Sequence, residues 1–224
     1  MTMLNKLFSH SENINSLNLP FQKLKKETSV EKLFKAIEGF SDTSEIRYVG
    51  VCVRKILYSE EVDDIDLAVN LSPDQVSEIL KKKNIKFYIT GIDHGTITAL
   101  IDKKKFEITS LRKDISTDGR HAKVEFSNNW YEDASRRDFT INSIYADIQG
   151  NLYDPFDGKR DIKNGEIRFI GEADKRIKED YIRILRYVRF FLNYSKKKHD
   201  SNITRIIKNL LKIFMRKCFV IIYC

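Results

Sequence analysis

The sequence predicts an α+β fold: a mixed β-sheet flanked by helices to about residue 150, then an all-helical module. Three observations carry this reading. Short β-prone runs alternate with amphipathic helical runs through the first two-thirds of the chain. Capping and turn residues punctuate them. After Asp154-Pro155-Phe156-Asp157-Gly158 the pattern turns helical and stays so.

Residues 1–28 read as a leader, rich in Asn and Ser up to residue 20. Thr28-Ser29-Val30-Glu31 has capping-box spacing, with Val30, Leu33, Phe34 and Ile37 at helical intervals and Gly39 as the stop. Glu45 to Val49 reads as a strand, followed by a turn at Gly50 and a helix through Val53 to Leu57. Ile65 to Val69 is the next strand. Ser72-Pro73-Asp74-Gln75 starts a helix that buries Val76, Ile79 and Leu80 and stops near Lys83. Strands follow at Phe87–Thr90, Thr96–Ile101 and Phe106–Ser110, the last two joined by a turn at Asp102-Lys103-Lys104. Ser116 to Arg120 reads as a mobile loop, and Phe139–Asp147 and Leu152-Tyr153 as strand-like. Asp174 to Asn193 reads as one long helix with Ile177, Tyr181, Ile184, Leu185 and Val188 on its apolar side. These elements divide the chain into a leader (1–28), a head (29–150), a helical module (151–209) and an atypical tail (210–224).

The chain has 224 residues, of which 42% are hydrophobic, which excludes a wholly disordered chain. Its 40 Lys and Arg against 32 Asp and Glu give a formal charge of +8, a balance that favours polyanionic partners. The three cysteines, Cys52, Cys218 and Cys224, have neither zinc nor disulfide spacing, so a reducing, cytoplasmic setting is expected. No apolar run reaches membrane-spanning length, and no membrane partner is expected.

Asp64-Ile65-Asp66 is the most informative segment. In an extended chain, residues two apart project to one side, so both carboxylates share a face and need a cation between them. Magnesium suits hard oxygen ligands and also binds phosphates, which points to Mg2+-assisted chemistry on a phosphate substrate. The Gly50 to Arg54 stretch is the candidate phosphate cradle. In Arg136-Arg137-Asp138 one arginine is expected to meet phosphate while the other pairs internally. Asp180 and Arg183, three apart on a helix, share a face. Together they offer an acceptor for an exocyclic amine and a donor for ring acceptors, a set that reads a base edge. Arg186 and Arg189 extend positive charge along that helix as candidate RNA contacts.

In this order the segments resemble the head and neck of class II tRNA nucleotidyltransferases and bacterial poly(A) polymerases, over roughly residues 30 to 192. The family's V-G-G-x-V-R-D is matched by Val49-Gly50-Val51-Cys52-Val53-Arg54-Lys55, and its D-x-D by Asp64-Ile65-Asp66. Gly95-Thr96 matches its G-T strand, and Ser116 to Arg120 is similar to its flexible loop. R-R-D-F-T-I-N is present unchanged as Arg136 to Asn142, D-P-F-x-G as Asp154 to Gly158, and E-D-x-x-R as Glu179 to Arg183.

The resemblance implies a nucleotidyltransferase-type mixed sheet followed by a truncated all-helical neck. It implies that Asp64 and Asp66 hold catalytic magnesium, and that Gly50 and Arg54 contact a triphosphate. Arg137 and Asp138 would shape the nucleotide pocket, with Asp180 and Arg183 selecting C or A. ATP or CTP and an RNA 3′ end, that of tRNA foremost, are the implied substrates; a non-catalytic, RNA-binding remnant is the alternative. Two departures bear on this: Val51 replaces the second glycine, and Lys55 replaces the aspartate. The chain is also shorter than the family pattern, so a truncated product, or a second polypeptide supplying body and tail, is expected.

Overall fold

The computed structural model describes residues 18–91, 95–118 and 121–223. Its strands are β1 (Ile46–Val49), β2 (Asp66–Val69), β3 (Lys86–Gly91), β4 (Thr96–Ile101), β5 (Lys104–Ser110), β6 (Arg112–Asp118), β7 (His121–Phe126), β8 (Tyr145–Ala146) and β9 (Leu152–Tyr153). Seven of them form one sheet in the order β3-β4-β5-β2-β1-β8-β9, and β6 pairs with β7 in a separate ribbon. β2 and β5 run parallel while the other neighbours run antiparallel, so the sheet is mixed as expected.

Period-two alternation sorts the central strands between two faces. Ile46, Tyr48, Leu67, Val69, Ile97, Ala99, Phe106 and Ile108 enter the main core with helices α1 (residues 18–28), α2 (Glu31–Glu38), α3 (Val51–Leu57) and α4 (Pro73–Lys82). The opposite face carries Val49, Ala68 and Tyr145, packed against Ala134 of α5 (Trp130–Arg136). Beyond α5 that face stays open, and Asp66 and Glu107 project from it.

Several sequence expectations hold in detail. Ser72 caps α4 in a reciprocal capping box with Gln75, Pro73 takes the first turn, and Val76, Ile79 and Leu80 are buried. The β4–β5 turn places Asp102 and Lys103 at φ 49° and 68°, the paired left-handed backbone that a two-residue hairpin favours.

Others are corrected. Residues 18–28, read as leader, form a helix that buries Phe21 against Tyr48 with ring centroids 5.3 Å apart; residues 1–17 lie outside the described residues. Thr28 makes no capping box, because its hydroxyl donates back to the Leu24 carbonyl at 2.6 Å. Ser116 to Asp118 belong to strand β6, not to a loop, while Gly119 and Arg120 lie outside the described residues. Thr140–Asn142 is a 3-10 turn inside the segment read as strand. The helix α9 (Ser201–Tyr223) is continuous through residue 210.

The long helix is two helices. α6 (Gly158–Asn164) precedes α7 (Ala173–Glu179), which stops at Asp180 with extended backbone, φ −155° and ψ 109°; α8 (Ile182–Tyr194) then begins. The Asp180 carboxylate accepts the Ile182 N–H at 2.9 Å, the competition with helix that makes aspartate a start signal. The break resets the helical phase. Ile184, Tyr187 and Phe190 are buried, whereas Leu185 and Val188, expected inside, are 71% and 40% exposed. Tyr187 stacks on Phe169, and Phe139 meets Phe190 edge-on, so the aromatic seam of α8 fixes it to the sheet domain.

Candidate active site

Two cavities meet at the start of α3. The first, about 900 Å³, is lined by Asp64, Asp66 and Glu107 and by Tyr88, Thr98 and Lys105 of the open face. The second, about 530 Å³, is lined by Gly50, Arg54, Arg137, Asp138, Asp180, Arg183, Arg186 and Arg189, with Arg112, Arg136, Asn142 and Phe190 among the rest. Val51 and Asp66 line both. All ten site residues named from the sequence therefore fall in two adjoining hollows, although they span 140 positions from Gly50 to Arg189.

Asp66 opens β2 opposite Glu107 in the parallel β2–β5 register. Partial burial, followed by the charge of Glu107, raises the Asp66 carboxyl, and the Val51 N–H donated to it opposes the rise. Asp64 is exposed in the loop before the strand. Negative charge collected on an open face is the environment a divalent cation relieves. Among the described residues, no three or more His, Cys, Asp or Glu side chains close into a protein-only metal cage. Two carboxylates facing open space nevertheless fit magnesium, which completes its shell with water and substrate phosphate oxygens.

Gly50 ends β1 and takes φ 70°, while Val51 opens the helix. The left-handed backbone thus falls on the retained glycine, and Val51 sits where a branched residue fits. A Cβ at Gly50 would stand 3.3 Å from Asp66 Oδ2. Gly50→Ala is expected to cost about 1–3 kcal/mol of stability, measured by urea denaturation, because the backbone is strained for any L side chain; an unchanged midpoint would remove that argument. Lys55 turns away from both cavities and pairs with Asp63 at 2.5 Å, so the aspartate-to-lysine departure is answered by a different ion pair.

The arginine cavity is tied together from below. Asp133, 1% exposed, receives Arg136 Nη2 at 2.7 Å, Arg137 Nη2 at 3.0 Å and the Tyr145 hydroxyl at 2.6 Å. Both arginines of the R-R-D motif therefore pair internally, where one had been expected to be left for phosphate. Burial alone would raise the Asp133 carboxyl, but Arg137 and Arg136 outweigh it and hold the group well below the usual carboxylate range. Asp138 is held down in the same way: burial opposes ionisation, and Arg186, 2.6 Å away, prevails with Asn142. Arg186, read as an RNA contact, is thus partly engaged inside the cavity. Arg54 donates Nη1 to Asn142 and leaves Nε without a partner, although the residue is only 7% exposed. The residue lines the arginine hollow, which brings its positive charge to an anion bound there. Glu179 receives Arg183 Nη1 at 2.5 Å, and Asp180 stands at the helix break beside it.

Glu107, Asp133 and Asn142 are the functional residues that sequence reasoning missed. Asp133 had a signal, since it lies three and four positions before two arginines at the end of one helix. Glu107 had only its alternation with Phe106 and Ile108, and needed the β2–β5 register. Cys52 is no part of the site: burial pushes its thiol up to about 12, which leaves it unreactive.

A mixed sheet with paired carboxylates on its open face, beside an arginine-lined hollow and a helical module, defines a nucleotidyltransferase-type head with the start of a neck. The poly A polymerase head domain family matches residues 46–168, more than half of the chain, and the chain belongs to that family, which the CCA-adding enzymes share. The human mitochondrial CCA tRNA nucleotidyltransferase 1 is 47% identical over 151 residues, covering 67% of this chain and 35% of the human protein. A CCA-adding enzyme of Lactobacillus delbrueckii subsp. bulgaricus is 38% identical over 182 residues, covering 80% of this chain and 43% of that enzyme. Among solved structures, the Bacillus stearothermophilus CCA-adding enzyme in complex with CTP superposes with a TM-score of 0.68 at 30% identity, over 81% of this chain and 43% of that one. The chain thus spans less than half the length of these relatives.

Proposed function

We propose that this chain transfers CMP and AMP from CTP and ATP to the 3′ end of an RNA, with tRNA lacking all or part of its CCA end as substrate. The observation that carries the proposal is the junction at Val51, where the carboxylate hollow and the arginine hollow share Asp66. Relatives that resemble this chain over most of its described length are CCA-adding enzymes and tRNA nucleotidyltransferases, a CCA-adding enzyme solved with CTP and a tRNA nucleotidyltransferase with a primer tRNA and an ATP analogue among them.

In this reading the RNA 3′ oxygen attacks the α-phosphorus, the bond to the bridging oxygen breaks, and pyrophosphate leaves. Magnesium, held by Asp64 and Asp66, would supply charge neutralisation at the phosphates and acidify the attacking hydroxyl. Arg54, which lines the arginine hollow, would bring its positive charge to the triphosphate. Arg137 and Asp138 shape the pocket wall, each held in place by the buried pairs described above. Asp180 offers an acceptor to the exocyclic amine of cytosine or adenine, and Arg183 a donor to the ring, so uracil and guanine lack a matching edge. Arg189 faces the same hollow and is placed to meet RNA or nucleotide phosphate.

The test is incorporation by the full chain, with magnesium, into tRNAs ending before the first C, the second C and the A, beside an Asp64→Ala control. CMP on the first two and AMP on the third, lost with EDTA and in the control, is the expected result. No product, or product unchanged in the control, would overturn the proposal in favour of a non-catalytic RNA-binding fragment.

A further inference from the structure

We infer that Arg176 is a positioning residue that sets Arg183, through Glu179, for recognition of the base. It lies on α7, outside both hollows, and its side chain is held on three sides. Nη2 donates to the carbonyls of Arg136 and Arg137, at 2.5 and 2.6 Å, and Nη1 donates to Glu179 Oε2 at 2.6 Å. The same Glu179 oxygen receives Arg183 Nη1 at 2.5 Å, and Arg183 also donates to the Arg176 carbonyl at 2.7 Å.

These contacts form one chain of hydrogen bonds. At one end is Arg183, with its base-edge donors. At the other is the backbone from which Arg136, Arg137 and Asp138 project. Those two carbonyls close the C-terminus of α5, where helical carbonyls lack intrahelical partners and favour a cation. Arg176 supplies the cation, and its planar fork reaches the carbonyls and Glu179 at once; a lysine ammonium has the charge without that geometry. Glu179 is shared between two guanidiniums, so its position fixes Arg183 only while Arg176 anchors it. Removing the anchor leaves Arg183 its bond to the residue-176 carbonyl but lets it shift with Glu179, while Asp133 continues to hold Arg136 and Arg137, and Tyr145 holds Arg137, from the other side.

The consequence is specific. Loss of Arg176 should blur the choice of base and leave binding of a base-free polyphosphate nearly intact. This rests on the proposed role of Asp180 and Arg183, and the experiment separates the two. Dissociation constants for CTP, UTP and inorganic tripolyphosphate are measured by calorimetry on the full chain and on R176K. The expected result is that the wild type prefers CTP to UTP, that R176K loses that preference by about tenfold, and that tripolyphosphate affinity stays within twofold. A purely structural arginine would lower all three affinities together or none, and either pattern overturns the inference. A wild type that does not distinguish CTP from UTP overturns the base-reading role itself, and the positioning role with it. E179Q guards against a poorly folded R176K: it weakens the shared anchor while leaving the carbonyl clamp, and should erode the same preference.

Discussion

Asp66→Asn should reduce nucleotidyl transfer by about a thousandfold or more, since charge stabilisation by a bound metal contributes several kcal/mol and each 1.4 kcal/mol is a factor of ten. The side chain is half-buried, accepts the Val51 N–H and sits beside Glu107, so an isosteric amide keeps the packing and removes one negative charge. Stability should therefore hold or rise slightly, because the wild-type carboxylate is raised by burial and by a like charge. Asp64→Asn should fall nearly as far in rate, with no change in stability, because that carboxylate is exposed. Single-turnover incorporation of CMP, with thermal melting in parallel, separates the two quantities. An Asp66→Asn protein retaining a tenth of the parent rate would remove Asp66 from metal binding. Glu107→Gln is the informative companion: a milder loss would mark it as shaping the charge around Asp66.

Much of this site was legible because its residues obey local rules. The glycine before a helix and the capping box of α4 each follow from backbone geometry within a few positions, and each is found where the spacing put it; of the D-x-D pair, Asp66 opens β2 while Asp64 lies in the loop before it, and both line one hollow. What escaped depends on contacts between distant segments. Glu107 reaches Asp66 only through a parallel register that joins residues 41 apart. The split between α7 and α8 turned on one local competition, in which the Asp180 carboxylate takes the Ile182 N–H, and that competition moved Leu185 and Val188 to the surface. The mobile loop expected at Ser116 was misjudged because polar residues that pair along a two-stranded ribbon look, in sequence, like residues that pair with nothing.

The buried carboxylate beneath the arginines supplies the second large effect, this time on stability. Asp133 is 1% exposed and faces two guanidiniums, so solvent does little to soften what its removal leaves behind. Breaking a buried pair by deleting one partner typically costs about 3–5 kcal/mol, because the remaining charges stay buried without compensation. Asp133→Ala should lose at least that much, and Asp133→Asn somewhat less, since its amide oxygen still accepts one hydrogen bond. A loss of this size is a large share of a typical domain's margin, so the alanine variant is expected to be largely unfolded near 37 °C. The sign with pH follows from the depressed folded-state value. The unfolded chain binds the proton first, so the contribution is fully present above an unfolded aspartate pKa of about 4 and drains away as pH falls below it, towards the folded value. Urea midpoints for the parent between pH 7 and pH 3 should therefore fall more steeply than those for Asp133→Asn, and the two curves should converge in acid. Parallel curves, or an Asp133→Asn loss under 1 kcal/mol at pH 7, would mean that Arg136 and Arg137 find other partners. The foundation of the arginine cavity would then lie in Arg176 and Tyr145 rather than in this carboxylate.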